Sequence, residues 1–227
     1  SFKIMEFVRK GQAAKKPEQW QEYIQLLKDN NVPDWFIEAC GKIKYLFPKA
    51  HAVAYCLMSV RIAWFKYYYP LEYYATYFTW RSDAYDIEAM IKGEDEIKSR
   101  YFELLTKVNA NEKLSVKEGG LFTFYEAAIE MFQRGYKFGN IDLNKSDSVE
   151  FVVDKENKLI YPPFKVCDGV GENAAASVIE ARKDGKFNSI DDLRRRTKLN
   201  DTNIKLLEKL GVLEGLNETA QMSLFDF

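Results

Sequence analysis

Hydrophobic and polar positions recur with the period of helices through most of this chain. Phe2, Ile4, Met5 and Val8 stand among the charged Lys3, Glu6, Arg9 and Lys10, which predicts a helix stopped by Gly11. Pro17 opens a second, with Trp20, Tyr23, Ile24 and Leu27 as one stripe and Asn30-Asn31 at its end. Pro33 opens a third, and its Trp35, Phe36, Ala39 and Ile43 should face inward. After Pro48, positions 50–69 are apolar nearly all round, so they predict a long, mostly buried helix closed by Pro70. Leu71 to Thr79 predicts an aromatic helix, 86–108 an amphipathic one, and 125–134 a short one before Gly135. The period then changes to two. Residues 149–153 and 158–161 flank the polar turn 154–157 and predict a β-hairpin, bounded by Pro162-Pro163. Short helices follow, then a polar-then-apolar tail. The expected fold is mainly α: a helical domain over 1–148, a β-hairpin linker over 149–163, a compact helical module over 164–216 and a flexible tail over 217–227.

Composition changes this picture little. With 227 residues, 47% hydrophobic and 30% charged, the chain can bury a firm core, and aromatics at 15% favour one. The net charge of −1 does not announce a nucleic-acid binder, so local clusters must be sought. Cys40, Cys56 and Cys167 are too scattered for a zinc site or a disulfide framework, which suits a reducing cytoplasm. The most apolar stretch, 52–65, is interrupted by Arg61 and too short to span a bilayer, so no membrane partner is expected. No signal peptide is evident, and the first residue, Ser1, falls inside a helical pattern; the chain reads as part of a longer protein.

Three stretches carry candidate chemistry. Gly169-Val170-Gly171 leads directly into a helix. Glycines there permit a tight turn and a close approach of backbone N–H groups to a phosphate, with the helix N-terminus adding positive character. A second helical pair, 189–196 and 200–210, makes this the first of two tandem helix-hairpin-helix units. Between Arg182 and Lys209 nine Lys or Arg stand against five Asp or Glu, and the consecutive Arg194, Arg195 and Arg196 are candidates for phosphate contact. Such a module holds the DNA backbone without reading bases. The plain alternatives are an ordinary turn and a solvated helix end.

At the tail, Gln221 offers an amide while Met222, Leu224 and Phe225 offer apolar anchors, behind a polar spacer at 217–220 with no reason to fold. That is the pattern of a docking peptide. Near Pro48, Lys49 and His51 meet the start of the long helix, a setting that suits a polyphosphate or a DNA strand. Lys3, Arg9 and Lys10 form a further basic group.

The stretch Phe47-Pro-Lys-Ala-His-Ala…Tyr55, continuing through Ala63-Trp-Phe-Lys…Tyr69-Pro-Leu71, resembles the fingers of the C-family bacterial replicative polymerases. Phe2–Gly11, Tyr77–Arg81, Arg134–Phe138 and Pro162-Pro-Phe164 narrow the resemblance to the PolC-type DNA polymerase III α subunit of low-GC Gram-positive bacteria. It covers essentially the whole chain.

The resemblance implies a DNA-directed DNA polymerase acting on primer-template DNA and deoxynucleoside triphosphates within a replisome. Its fingers would place Lys3, Arg9, Lys10, Lys49 and His51 near the triphosphate. Gly169, Val170, Gly171 and the three arginines would hold DNA. Gln221, Met222, Leu224 and Phe225 would bind the β sliding clamp, with Met222 where the family has Leu. Mg²⁺ would be bound by palm aspartates that this chain lacks, since Asp83, Asp86 and Asp95 are not spaced for that role; the chain alone is expected to bind but not to polymerise. A non-catalytic clamp adaptor or repair module is the alternative, and it would have no need of the stretch from Phe2 to Thr79.

Overall fold

The structure, a computed structural model, describes residues 2–219. The described residues form two compact units, divided between Trp64 and Phe65.

In the first unit, α1 (Phe2–Arg9), α2 (Pro17–Asp29) and α3 (Asp34–Lys42) enclose a small core of Phe7, Val8, Ala13, Trp20, Ile37 and Cys40. Phe7 stacks on Trp20 at 6.2 Å and meets Tyr23 edge-on at 5.0 Å. Gly11 ends α1 for two reasons. Its φ of +61° is the left-handed conformation, and a Cβ there would lie 1.9 Å from the Lys44 carbonyl oxygen.

Helix α3 is turned from its expected orientation. Ile37 and Cys40 face the core, while Trp35, Phe36 and Ala39 are exposed. Ile37 and Cys40, one turn apart, are the pair that meets the core of Phe7, Val8 and Trp20. Helix α4 (Lys49–Tyr68) forms where the pattern placed it, but it holds no buried residue. Its apolar side chains point around the whole circumference, so no single packed face can hide them.

The second unit begins with α5 (Pro70–Trp80), α6 (Ile87–Lys92), α7 (Glu94–Asn109) and α8 (Val116–Gln133). The single amphipathic helix expected over 86–108 is two helices, because Gly93 takes φ +96° and caps both. Helix α8 begins well before the expected 125, at a Ser115–Glu118 capping box. The helix runs through Gly119-Gly120. At Gly120 the bare backbone lets Ala84 approach, since a Cβ would sit 3.1 Å from its methyl.

Strands β2 (Val152–Asp154) and β3 (Leu159–Tyr161) form the expected antiparallel hairpin, and β1 (Lys137–Phe138) adds a parallel edge, giving the order β1-β3-β2. After a single 3₁₀ turn at Phe164–Val166 come α9 (Glu172–Ala181), α10 (Ile190–Arg196) and α11 (Asp201–Lys209).

One hydrophobic cluster runs through this unit from Leu71 to Leu213, on both sides of position 148. Its hub is Phe78, fully buried, whose ring lies 5.3 Å from Phe124, 5.2 Å from Phe138 and 5.7 Å from Phe151. Part of the aromatic content lies here, while many other rings, such as Trp35, Tyr67 and Trp80, are exposed. Polar links run parallel to it. The amides of Phe164 and Lys165 donate to the Asp147 and Ser148 carbonyls, and Arg182 donates to those of Leu143 and Ser146. The Asn140 side chain donates to the Leu210 carbonyl at 2.6 Å.

Candidate nucleic-acid interface

Two hairpins are built at one end of this core, and they differ in what their backbone groups are doing. In the first, buried Phe164, Val166 and Cys167 anchor the incoming chain, and Val170 plugs the turn from inside. Gly169 has φ +94°, a conformation that a β-carbon would strain. Gly171 caps α9 with an ordinary φ of −70° and no side-chain cap. A Cβ on it would meet nothing within 4 Å. Neither backbone geometry nor internal crowding asks for glycine at 171. The amides of Gly171, Glu172 and Asn173 meet no acceptor among the described residues.

In the second hairpin, between α10 and α11, buried Leu199 takes the place of Val170. Four of its amides have side-chain acceptors, while those of Asp201 and Thr202 at the start of α11 meet none among the described residues, as in the first hairpin. Lys198 donates to Ser177 Oγ at 2.8 Å, Leu199 to Thr197 Oγ1 at 3.3 Å, and Asn200 to Asn203 Oδ1 at 3.2 Å. The Asn203 amide donates back to Asn200 Oδ1 at 2.8 Å, completing a capping box. Ser177 is thus a bridge between the two units of the motif.

Asn203 joins them more directly. Only 3% exposed, it uses its remaining Nδ2 to donate to the Gly169 carbonyl at 2.9 Å. Its two side-chain ends hold both hairpins in register. Sequence reasoning missed it; the available signal was its position three residues after a helix-capping Asn.

The three consecutive arginines have separate surroundings. Arg196 hydrogen-bonds the carbonyls of Ala181, Gly185 and Lys186, pairs with Asp192 at 3.0 Å and lies 4.7 Å above the Phe187 ring. It closes the end of α9 from within the module. Arg194 meets Asp191, Asp201 and Glu218, and the Glu218 hydrogen bond raises its pKa. Arg195 is 79% exposed and pairs only with Asp192 among the described residues. Asp192 is held below its ordinary range chiefly by the hydrogen bond from Arg196, then by that from Arg195.

The spacer after Leu216 was expected to have no reason to fold. Instead the Asn217 and Glu218 carbonyls accept the amides of Ile190 and Asp191, the unsatisfied first donors of α10. The tail candidates Gln221, Met222, Leu224 and Phe225 lie outside the described residues.

In the first unit, the basic candidates are partly connected. Arg9 grips Glu6 with two bonds of 2.8 and 2.9 Å, and Lys10 reaches the same carboxylate at 3.3 Å. The Arg9 bond lowers the Glu6 pKa to about 2 and raises that of Arg9. Arg9 also lies 5.9 Å over Tyr45, which packs on Phe47 at 4.4 Å; Phe47 stacks on His51 at 5.7 Å, and His51 meets Tyr55 at 4.5 Å. An aromatic ladder therefore joins Arg9 to His51. Lys3 and Lys49 are exposed, and no recorded contact ties either to this ladder.

Asp83, Asp86 and Asp95 do not converge. Asp86 accepts from Arg100, from Tyr125 at 2.6 Å and from the Ala89 amide, so its carboxylate is a structural hub. Among the described residues no group of three or more His, Cys, Asp or Glu side chains is placed to hold a metal.

The helix-hairpin-helix motif family matches residues 135–222, which include both hairpins. DNA polymerase III PolC-type from Bacillus subtilis is 49% identical over 226 residues, 99% of this chain. The proteins of the same name from Oceanobacillus iheyensis, 46% identical over 99% of the chain, and Streptococcus agalactiae, 45% identical over all of it, are similar. The chain spans 15% of the length of each of these relatives. With both hairpins in place and this likeness running from end to end, the chain belongs to the PolC-type DNA polymerase III family, of which it is a segment bearing a helix-hairpin-helix motif.

Proposed function

We propose that this segment serves template-directed DNA synthesis by gripping the backbone of primer-template DNA, chiefly through its first hairpin. The observation that carries the reading is the glycine-flanked first turn, whose Gly171 amide is bare where the equivalent Asn200 amide of the second is bonded to Asn203 Oδ1. The first presents the bare amides of Gly171, Glu172 and Asn173, the backbone form of a phosphate site. The second spends the amides of Lys198, Leu199, Asn200 and Asn203 on side chains of the module. Arg195 adds a screened contact with phosphate, while Arg196 shapes the module.

The test is fluorescence-anisotropy titration of labelled duplex DNA across a range of salt. Gly171→Val should weaken binding while leaving thermal unfolding unchanged, because its side chain meets nothing inside the protein. Equal affinity for Gly171→Val and the wild type would overturn the assignment to the first hairpin.

Two finer roles complete the proposal. The ladder from Arg9 to His51, with Lys10 on the shared Glu6 carboxylate, would meet the triphosphate of an incoming nucleotide through charge-assisted contacts, and the exposed Lys3 and Lys49 would add to them in the whole enzyme. Lys49→Ala in the whole polymerase should raise KM for nucleotide or lower kcat, and no change in either removes Lys49. The tail from Gln221 to Phe225 docks on a sliding clamp, and clamp binding should be lost when Gln221 and Phe225 are both replaced by alanine. When Mg²⁺ is bound in the whole enzyme it neutralises phosphate charge, and the aspartates holding it lie outside this segment. The isolated chain should therefore bind primed DNA without extending it. The first unit favours a polymerase over a clamp adaptor, since the relatives match it along with the hairpins.

A further inference from the structure

We propose that helix α4 is sandwiched, on two opposite sides, by parts of the polymerase polypeptide outside these 227 residues. Val53, Leu57 and Val60 follow one another at i, i+4 and i+7, and Tyr55, Met58 and Ile62 at i, i+3 and i+7. At about 100° per residue the two rows point in roughly opposite directions. All six side chains are half or more exposed, and α4 has no buried residue along its 20 positions. A soluble surface rarely carries so much contiguous apolar area, and a helix apolar on all sides belongs inside a larger body.

The geometry selects the occupant. A second copy of this chain meeting across a two-fold axis would cover one row and leave the other wet. A bilayer is a poor match, since no described helix is long and apolar enough to cross one. Polypeptide of the same polymerase meets the need on both sides. The chain is only 15% of its relatives, so most of such a protein is available to pack here. Being covalently joined, it would do so at high effective concentration. Arg61 stands between the two rows without an ion pair among the described residues, so the covering surface should bring it an acceptor. This inference rests on family membership and is independent of how the hairpins bind DNA.

Cys56 provides the test, being exposed on α4 while Cys40 and Cys167 are buried. Position 58 lies about 200° further round the helix. Whole polymerase, wild type and Met58→Cys, is pulsed with N-ethylmaleimide, and alkylation at positions 56 and 58 is read by peptide mass spectrometry. The same pulse is applied to the 227-residue chain and to urea-unfolded polymerase. Both thiols should react at least about tenfold more slowly in native polymerase than in the isolated chain. Either thiol reacting equally fast in both overturns the sandwich, and the Cys56 reading requires no substitution. Protection that appears only with added DNA or nucleotide would make nucleic acid the occupant. Protection that grows with the concentration of the isolated chain would make it a second copy. Each of these overturns the proposal.

Discussion

The sharpest perturbation of the interface is Asn203→Asp. Asn203 is almost fully buried, accepts from the Asn200 amide at 3.2 Å and donates from Nδ2 to the Gly169 carbonyl at 2.9 Å. Aspartate keeps the shape and the acceptor but loses the donor. The Gly169 carbonyl is then left unpaired and faces an oxygen in place of an N–H. Gly169 lies at an exposed turn, so the lost hydrogen bond costs about 1 kcal/mol; burying the new charge against the carbonyl oxygen costs about 1.5 kcal/mol more, and its place in the first turn of α11 returns about 0.5 kcal/mol. A net loss of about 2 kcal/mol corresponds to about 4–8 °C in Tm for a unit of this size. The hairpin loses its brace at the same time, so duplex affinity should fall several-fold, measured by anisotropy at fixed salt. Facing a carbonyl in a buried site raises the folded pKa of the new carboxyl. Its protonated form can donate again, so the gap to wild type should narrow as pH falls toward about 4. A variant with unchanged Tm and unchanged DNA affinity would refute the idea that Asn203 couples the hairpins.

Other outcomes follow from the same geometry. Asp168 is 95% exposed on the first hairpin and among the described residues pairs only with Lys117, at 3.5 Å; removing its charge with Asp168→Asn should tighten DNA binding about two-fold without altering Tm. Arg195→Ala should reduce the slope of log affinity against log salt by about one, as expected for a lost phosphate contact. Arg196→Ala should instead lower stability by about 1–3 kcal/mol, because it leaves three carbonyls without their guanidinium donor and takes one of the two arginine partners from Asp192; a large salt-slope change with intact Tm would reverse these two roles. In the first unit, Gly11→Ala should unfold α1 against the Lys44 carbonyl, seen as lost far-ultraviolet helicity. The Glu6 pKa is depressed to about 2, so the Arg9–Glu6 link is complete above the ordinary carboxylate range near 4.5 and is lost as pH falls through about 2. Glu6→Gln should remove that acid-dependent step from an unfolding titration.

Much of the hairpin module was legible because its signals are local. Gly169-Val170-Gly171, the Ser189 and Asn200 caps and the stop at Gly211 each act within a turn of helix, and all lie where the pattern put them. The start of α8 was also written locally, in the Ser115–Glu118 capping box, and was overlooked. The rest of what escaped depends on distant partners. The rotation of α3 depends on which of its apolar residues meet Phe7 and Trp20 across the small core, which is not encoded within the helix. The arginine triplet shows the same limit at the site. Its charge was visible, but Phe187 and the carbonyls ending α9, which claim Arg196, were not. The burial expected of α4 was a sound reading of its apolar circumference. It failed because the described residues supply no cover for it.

The uninterrupted core from Leu71 to Leu213 has a practical corollary. The proline pair at 162–163 looks like a natural splice junction for lifting the DNA grip into another enzyme. A graft cut there would sever the Asp147, Ser148, Leu143 and Ser146 carbonyls from Phe164, Lys165 and Arg182, and would strand Leu210 from Asn140. It would also strip the hairpins from the aromatic layer centred on Phe78. The smallest portable cassette is residues 65–219, and a chimera carrying the hairpins must carry helices α5 to α8 with them.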